Sequence, residues 1–279
     1  MLSLRIWGCR GSVPTPGPAT VRDGGNTSCV TLRPDDDTLL ILDAGTGIRE
    51  LGRHLNGGLP KDVHILLTHL HLDHIEGLRF FGPLWRPDTH LTIWGPASPV
   101  RTLRDRIRLL LSPPLFPIHL GDVPADLTFR DAEAEMHFGP ARVLSQRVQH
   151  PGPTIGYRVE VDGKALAYIP DHEPALGLDL EQVGPDWISG LELARGADWL
   201  LHDAQYFEEE YPKLVGWGHS SVAHAVTVAR AAEARRLVLF HHDPGHDDAD
   251  LERLEGRARE LAGEDLDVYL AREGLDLSV

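Results

Sequence analysis

Four side chains that can bind metal ions lie within six residues, directly after an apolar run. The segment reads Thr68-His69-Leu70-His71-Leu72-Asp73-His74 and follows the apolar residues 63–67. In an extended chain, side chains two residues apart share a face, so His69 and His71 can point to one side. Asp73 and His74 can turn back from the loop that follows. Imidazole and carboxylate groups are ligands of zinc, so the segment indicates a metal site at a strand end, and one such segment can serve two ions.

The overall composition is that of a globular protein. The chain has 279 residues, of which 42% are apolar and 25% are charged, so it can form one sizeable core, and we expect a single domain over residues 1–279. It contains no run of about 18 apolar residues, and its first residues lack the pattern of a signal peptide. We therefore expect a soluble, cytoplasmic protein without a membrane partner, in which Cys9 and Cys29 are reduced thiols.

The net charge limits the partners that we expect. With 42 acidic and 27 basic residues, the chain carries a formal charge of −15. This balance disfavours broad attraction to a nucleic-acid backbone, so a long RNA would need a local basic patch. The sixteen histidines are the unusual feature of the composition, and their positions matter more than their number.

Strand and helix signals are both spread along the chain. Short apolar runs bounded by turn residues predict nine strands, at 2–7, 38–42, 63–67, 91–94, 157–161, 165–169, 199–201, 237–240 and 268–270. Apolar residues at three- and four-residue steps, or acidic helix starts, predict helices over 98–111, 220–235 and 247–262. The pattern favours an α+β fold in which two sheets lie between helices.

The histidine-rich segment also carries a family resemblance. Residues 69–74 match the HxHxDH signature of the metallo-β-lactamase superfamily, whose fold is a four-layer αββα sandwich with a dinuclear metal site between the sheets. The resemblance extends over nearly the whole chain. Asp43, His150, Asp171 and His241 resemble the remaining motifs in order, each at or near the end of a predicted strand or in a loop. In that family the residue matched by Asp43 is structural.

The resemblance implies a particular set of ligands for two divalent ions. One ion would be bound by three histidines and the other by an aspartate and two histidines, with a further aspartate between the ions: His69, His71 and His150; Asp73, His74 and His241; and Asp171. His242 is an alternative to His241, because neighbouring residues point to opposite faces and only one can ligate. We choose His241. Zinc is our first choice because most ligands are imidazoles, although manganese also suits a site with carboxylates.

Two later segments resemble the phosphodiesterase branch of the superfamily, which includes ribonuclease Z and cyclic-nucleotide phosphodiesterases. Gly216-Trp217-Gly218-His219-Ser220-Ser221 resembles its His-Ser-Thr motif, so His219 would protonate the leaving oxygen or clamp the phosphate. The alternative is a helix cap formed by one of the two serines. His202-Asp203-Ala204-Gln205 resembles its His-Glu-Ala-Thr segment, so Asp203 would orient His219 or else be a plain surface carboxylate. Loop 8–28 also resembles that branch and is expected to line the cleft.

The positions of the basic residues indicate how large the substrate is. Ribonuclease Z carries a protruding arm rich in glycine and basic residues, and no comparable insertion is found in this sequence. Arg101, Arg104 and Arg108 share one face of the predicted helix over 98–111, followed by a Pro-containing turn at 112–114. These arginines form either a basic lid over an anionic substrate or the outer face of an ordinary amphipathic helix.

Together these features predict a metal-dependent hydrolase with Asp73, His219 and Asp203 as catalytic residues. The expected reaction is hydrolysis of a small anionic phosphodiester, a cyclic nucleotide first, with homodimerisation implied by the family. RNA 3′ processing of the ribonuclease Z type is the alternative, followed by thioester or lactone hydrolysis on the same fold. A binding module with structural metal is disfavoured, because a structural zinc needs only four ligands.

Overall fold

The computed structural model describes residues 3–55, 58–182 and 184–278. Its strands in chain order are β1 (Ser3–Gly8), β2 (Cys29–Arg33), β3 (Thr38–Leu42), β4 (Asp62–Leu66), β5 (His90–Gly95), β6 (Asp126–Asp131), β7 (Glu135–Phe138), β8 (Ala141–Arg147), β9 (Ile155–Val161), β10 (Lys164–Ile169), β11 (Trp199–Asp203), β12 (Arg236–Phe240), β13 (Asp267–Leu270) and β14 (Asp276–Ser278). Its α-helices are α1 (Gly47–His54), α2 (Leu72–Ile75), α3 (Leu103–Leu110), α4 (Leu191–Ala194), α5 (Val222–Ala231) and α6 (Asp248–Ala262).

The strands form two seven-stranded sheets of similar design. The first sheet has the order β14-β1-β2-β3-β4-β5-β6 and the second the order β13-β12-β11-β10-β9-β8-β7. In each sheet, antiparallel strands lead into a parallel series, β3 to β6 in the first and β10 to β13 in the second. The last strand, β14, pairs with β1 in antiparallel orientation and forms one edge of the first sheet.

Three apolar cores hold the layers together. The central core lies between the sheets and includes Leu42, Tyr157 and Phe240. An outer core packs α1 and α3 on the first sheet, and another packs α4, α5 and α6 on the second. The central strands are buried on both faces, which explains their continuous apolar sequences. The predicted α+β fold with an αββα arrangement is confirmed.

The nine predicted strands all correspond to observed strands, but five further strands were not predicted. Leu2, the predicted start of the first strand, lies outside the described residues. The additional strands are β2, β6, β7, β8 and β14. Of these, β6, β7 and β14 are edge strands with largely exposed side chains, so their sequences lack the apolar runs used for prediction. The three predicted helices correspond to α3, α5 and α6, and the first two are shorter than expected.

Two expectations about the environment of the chain can be compared with the structure. Within the described ranges, no helix combines the length and the apolar character needed to cross a membrane, and the longest helix, α6, has 15 residues. Cys9 and Cys29 are both buried and free, as expected for reduced thiols. Burial raises the pKa of the Cys29 thiol, which keeps it protonated.

The parallel strands direct their carboxyl ends toward one cleft. Asp43 follows β3, His69 follows β4, Asp171 follows β10, Asp203 ends β11 and His241 follows β12. Ligands of α/β sheets bind outside the carboxyl ends of parallel strands, because loops there bring side chains from different strands together. The fold therefore places the residues singled out in the sequence at one common edge.

Candidate metal centre and adjacent acid–base pair

All seven candidate metal ligands converge in the structure, in two groups. The potential ligand atoms within each group lie within 4.8 Å of one another: His69, His71 and His150 form the first group, and Asp73, His74, Asp171 and His241 form the second. Up to 168 residues separate contacting members along the chain. The first group matches one ion site implied by the sequence resemblance, and the second contains the three ligands of the other site together with Asp171, the aspartate expected between the ions.

The distances between ligand atoms suit metal coordination. His71 Nδ1 lies 3.2 Å from His150 Nε2 in the first group, and Asp73 Oδ2 lies 3.1 Å from His241 Nε2 in the second. Ligands of a tetrahedral zinc ion at about 2.0–2.1 Å stand about 3.3 Å apart. The donor atoms are therefore spaced as neighbouring corners of a coordination shell.

Asp171 lies between the two groups. Its Oδ2 atom is 3.7 Å from His69 Nε2 and 3.8 Å from His150 Nε2. The same carboxylate lies 3.0 Å from His74 Nε2 through Oδ1 and 3.3 Å from His241 Nε2 through Oδ2. One carboxylate thus faces donors of both groups, which is the position that a bridging ligand needs.

Asp43 fixes the orientation of two candidate ligands from behind. His74 donates from Nδ1 to Asp43 Oδ2 at 2.8 Å, and the Tyr168 hydroxyl donates to the same oxygen at 3.0 Å. The Thr68 hydroxyl donates to Asp43, so it accepts from His69 Nδ1, which lies 3.1 Å away. A histidine that donates from one ring nitrogen has a free lone pair on the other, so both Nε2 atoms can ligate.

The remaining imidazoles are oriented in the same way. His150 donates from Nδ1 to the Gly218 carbonyl at 2.7 Å, and His241 donates from Nδ1 to Gln205 Oε1 at 2.9 Å. Sequence reasoning noted Gln205 only as a departure from a family motif. In the structure Gln205 has a clear role. Its amide oxygen accepts the hydrogen bond from His241 Nδ1 and so fixes the orientation of the ring.

One buried atom tests whether the site suits a metal. His69 Nε2 is inaccessible to solvent and has no hydrogen-bond partner among the described residues. An unsatisfied buried polar atom costs about 1–3 kcal/mol, and a coordinated cation would remove that cost. Together with the donor set, this atom shows that the residues present fit a metal ion.

The two groups differ in their protonation without metal. Burial lowers the pKa values of His69, His71 and His150, so these imidazoles are neutral. In the second group, burial acts against protonation, but Asp171 and Asp73 outweigh it and raise the pKa of His241 to about 9. The second group therefore holds protons where an ion would bind.

His219 and Asp203 lie beside the second group. His219 Nδ1 is 2.7 Å from Asp203 Oδ2, and the His219 ring stacks on His241 with centroids 4.7 Å apart. Asp203 also accepts hydrogen bonds from the backbone amides of His172 and Ser220, which hold the carboxylate in place. Because Asp203 engages Nδ1, Nε2 is the ring nitrogen left for a substrate.

A buried carboxylate that the sequence analysis did not identify holds the loop that carries His219. Glu173 accepts from the Gly216 amide at 2.8 Å, the Gly218 amide at 2.7 Å and the Tyr211 hydroxyl at 3.0 Å. A Cβ atom on Gly218, whose φ is +96°, would lie 2.4 Å from the His150 ring, so this position requires glycine. The only sequence signal for Glu173 is its closeness to Asp171.

The side chains of His241 and His242 point in different directions, and only that of His241 reaches the candidate metal ligands. His241 has a φ of +61°, which turns its ring into the metal-ligand cluster. His242 instead donates from Nε2 to the Ala271 carbonyl at 2.9 Å, away from the cluster. The close packing of Gly11 fixes this arrangement, because a Cβ atom there would lie 2.3 Å from the His241 ring.

Loop 8–28 reaches the second group of ligands. The Ser12 amide donates to Asp73 Oδ2 at 2.7 Å, and Gly11 packs against the ring of His241. The fully buried Arg10 anchors the loop by donating to the carbonyls of Gly24 and His246. The structure thus agrees with the expected position of this loop beside the cleft.

Of the two alternatives for Arg101, Arg104 and Arg108, the structure favours the outer face of an ordinary amphipathic helix over a basic lid. The α3 face formed by Leu103, Ile107 and Leu110 is buried, whereas Arg101, Arg104 and Arg108 are exposed. Arg104 lies over the Phe129 ring at 5.6 Å, as in an ordinary amphipathic surface helix. A cavity of about 240 Å³ beside His69 and His71 is lined by Arg106 instead. Arg106 borders the buried face of α3, so the helical spacing of the other arginines did not reveal it.

Comparisons with known proteins agree with this geometry. Residues 38–242 match the model of the beta-lactamase superfamily domain, and this stretch contains all seven candidate ligands. Ribonuclease Z from Natronomonas pharaonis is 28% identical over an alignment that covers 86% of this chain and 87% of that protein.

Two solved structures share the fold. The metallo-beta-lactamase fold protein YhfI from Bacillus subtilis has a TM-score of 0.72 at 18% identity, with 99% of this chain and 98% of that chain covered. A diphosphatase from the PhnP family has a TM-score of 0.70 at 17% identity, with 100% and 98% covered. At these identities the similarity establishes the fold alone.

The protonation of the second group predicts how metal binding depends on pH. An ion at His241 must displace a proton whose pKa is about 9, so affinity should fall about tenfold per pH unit for each displaced proton as the pH drops below that value. The first group is neutral and should lack this dependence near neutral pH. Calorimetric titration of metal-free protein in buffers of different ionisation enthalpy measures the protons released. Two binding steps with no proton release near neutral pH would contradict this assignment.

Proposed function

Because the chain belongs to the beta-lactamase superfamily, we propose that it is a dinuclear metal-dependent phosphodiesterase acting on a small nucleotide. One observation carries the proposal: an imidazole held by a carboxylate, His219 with Asp203, lies against the second group of candidate metal ligands. An acid–base pair at that position can serve a reaction in which an oxygen leaves from phosphorus.

The metal-binding residues in this proposal are the seven convergent donors: His69, His71, Asp73, His74, His150, Asp171 and His241. Five of the seven are imidazoles, which favours zinc, while the carboxylates leave manganese as a second choice. When bound, the ions supply an activated water nucleophile and offset negative charge on the phosphoryl oxygens. Besides its proposed role as a ligand, Asp73 accepts a hydrogen bond at Oδ2 from the Ser12 amide.

His219 has the chemical role of donating a proton to the leaving oxygen. Asp203 accepts from Nδ1 at 2.7 Å, which orients the ring and leaves Nε2 to face the substrate. The amides of His172 and Ser220 fix Asp203, so the pair is organised before substrate arrives. In this mechanism Asp203 is a positioning residue that acts through His219.

An exposed aromatic side chain supports a nucleotide substrate. Trp217 is 65% exposed and lies two residues before His219. Its neighbours Gly216 and Gly218 are both held by the buried carboxylate of Glu173, so the backbone on either side of Trp217 is fixed. Stacking of a base on an aromatic ring contributes about 1–3 kcal/mol. Such a residue favours a nucleotide over the thioester or lactone considered from the sequence.

RNA processing is the second candidate function, since the relative from Natronomonas pharaonis is named ribonuclease Z. We rank a cyclic nucleotide above precursor tRNA because the net charge of −15 opposes a long polyanion. From the family resemblance we also propose that residues 1–279 act as one domain and that the protein forms a homodimer. The pairing of β1 with β14 supports the single domain, as it joins the two ends of the chain.

The ranking of substrates predicts faster hydrolysis of a cyclic nucleotide than of precursor tRNA. Purified metal-loaded protein should show the larger kcat/KM on a cyclic mononucleotide, with only weak dependence on salt because few phosphates are contacted. Initial rates at several salt concentrations with both substrates provide the measurement. Efficient and salt-sensitive cleavage of precursor tRNA, with the cyclic nucleotide left intact, would establish the second candidate instead.

The role of His219 predicts a loss of rate without a loss of metal. His219→Ala should lower kcat about 10²–10⁴-fold on a diester with a poor leaving group, because the general acid is removed. The loss should shrink with a p-nitrophenolate leaving group, which departs without a proton. Elemental analysis should find unchanged metal, and the surface variant His137→Ala is the matched control. Loss of metal would make His219 a ligand, and full activity on the poor leaving group would make it structural.

A further inference from the structure

The cavity beside the first ligand group contains a cationic side chain that the proposed mechanism does not use. This cavity, of about 240 Å³, is lined by His69, Leu70, His71, Ser98, Arg106, Pro151, Gly152 and Pro153. The histidines on its wall belong to the first group of candidate ligands. Neither His219 nor Asp203 lines it, so it lies to one side of the acid–base pair.

Arg106 is partly buried and forms no ion pair with a described residue, although the carboxylate of Asp131 acts on it from beyond ion-pair distance and partly opposes the lowering of its pKa by burial. Its Nη2 donates to the Pro96 carbonyl at 2.6 Å, and this is the one hydrogen bond of its side chain within the part of the chain that the structure describes. Its Nε is inaccessible to solvent and unpartnered, and it forms no ion pair with any described residue. Burial lowers the pKa of Arg106, yet a guanidinium keeps its charge at neutral pH.

Other arginines, such as Arg33 and Arg104, also lack an ion pair with a described residue, but they are exposed, whereas Arg106 is partly buried on a cavity wall. Acidic residues outnumber basic ones by 42 to 27, and arginines elsewhere, such as Arg142 and Arg257, form ion pairs with nearby carboxylates. A partly desolvated charge is costly unless an opposite charge joins it. The position of Arg106 on the cavity wall makes an anion from the substrate the group that would supply that charge.

We propose that this cavity binds a second phosphate of the substrate, held by Arg106 with the hydroxyl of Ser98. The inference rests on the proposed phosphodiesterase function and narrows it: among small nucleotides, a diester that carries an additional phosphate group binds more tightly than the same diester without it. A guanidinium offers a planar set of N–H donors that matches phosphate oxygens. Pro151 and Pro153, which also line the cavity, have restricted backbones.

This site separates two classes of substrate. A simple cyclic mononucleotide has a single phosphate, which the reaction itself uses, so it leaves the cavity without an anion. A short linear diester with a terminal phosphate can occupy the metal centre and the cavity together. The second phosphate should therefore improve binding rather than the chemical step, and its effect should appear mainly in KM.

A matched pair of dinucleotides tests the proposal. Wild-type holoenzyme is compared on ApA and on pApA, which differs only by a 5′-phosphate, in parallel with Arg106→Gln and the control Arg33→Gln. Arg33 is exposed at the end of β2 and lies outside the cavity. Its substitution by Gln therefore removes the same charge from a different place. We expect a wild-type preference for pApA of about 10–100-fold in KM, the range for a hydrogen-bonded charge. Arg106→Gln should abolish this preference with little change on ApA, and Arg33→Gln should retain it.

Calorimetric binding of the same dinucleotides distinguishes the failure of this site from the failure of the proposed function. If neither dinucleotide is hydrolysed but pApA binding still depends on Arg106, the phosphate site stands and the phosphodiesterase function falls. If both are hydrolysed and Arg106→Gln affects them equally, the phosphate site is overturned. Should Arg106→Gln fail to fold, Ser98→Asp places a negative charge on the same wall and must remove the preference for pApA. Retention of the preference in Ser98→Asp would likewise overturn the proposal.

Discussion

The structure depends on seven polar side chains, the candidate metal ligands, that pack together between two apolar sheets. Two of them are carboxylates and five are imidazoles, and six of the seven are buried. Buried donors of this kind are unstable unless cations share their lone pairs, and without metal the second group keeps protons on His241 for that reason. The network behind them, with Asp43 and Gln205 as acceptors, fixes each ring so that its free nitrogen faces the centre.

In the proposed function, the groups around this centre have separate roles. His219 and Asp203 lie beside the second group, and Trp217 is presented on the loop that carries His219. Arg106 lies in the cavity beside the first group. Asp203 orients His219, the Pro96 carbonyl accepts from the guanidinium of Arg106, and Glu173 holds the backbone of the loop that carries Trp217. The metal centre would thus be flanked by a proton donor, a stacking surface and an anion site.

The sequence predicted those parts that short-range patterns encode. The ligands at 69–74 are close together in the chain, and β3, β4 and β10 to β12 are buried on both faces, so their apolar runs are visible. Edge strands such as β6 and β7 were not predicted, because strands with many exposed side chains have no such apolar run. The roles of Gln205, Glu173 and Arg106 were not predicted for another reason. Their roles come from contacts with residues far away in sequence, and no local pattern records them.

The central claim is that two groups of buried donors bind two metal ions. It is tested most directly by elemental analysis of the purified protein and of Asp73→Ala, which removes a ligand of the second group alone. The account predicts close to two ions per wild-type chain and close to one in Asp73→Ala, with the first group intact. A single ion per wild-type chain that Asp73→Ala leaves undisturbed would contradict it.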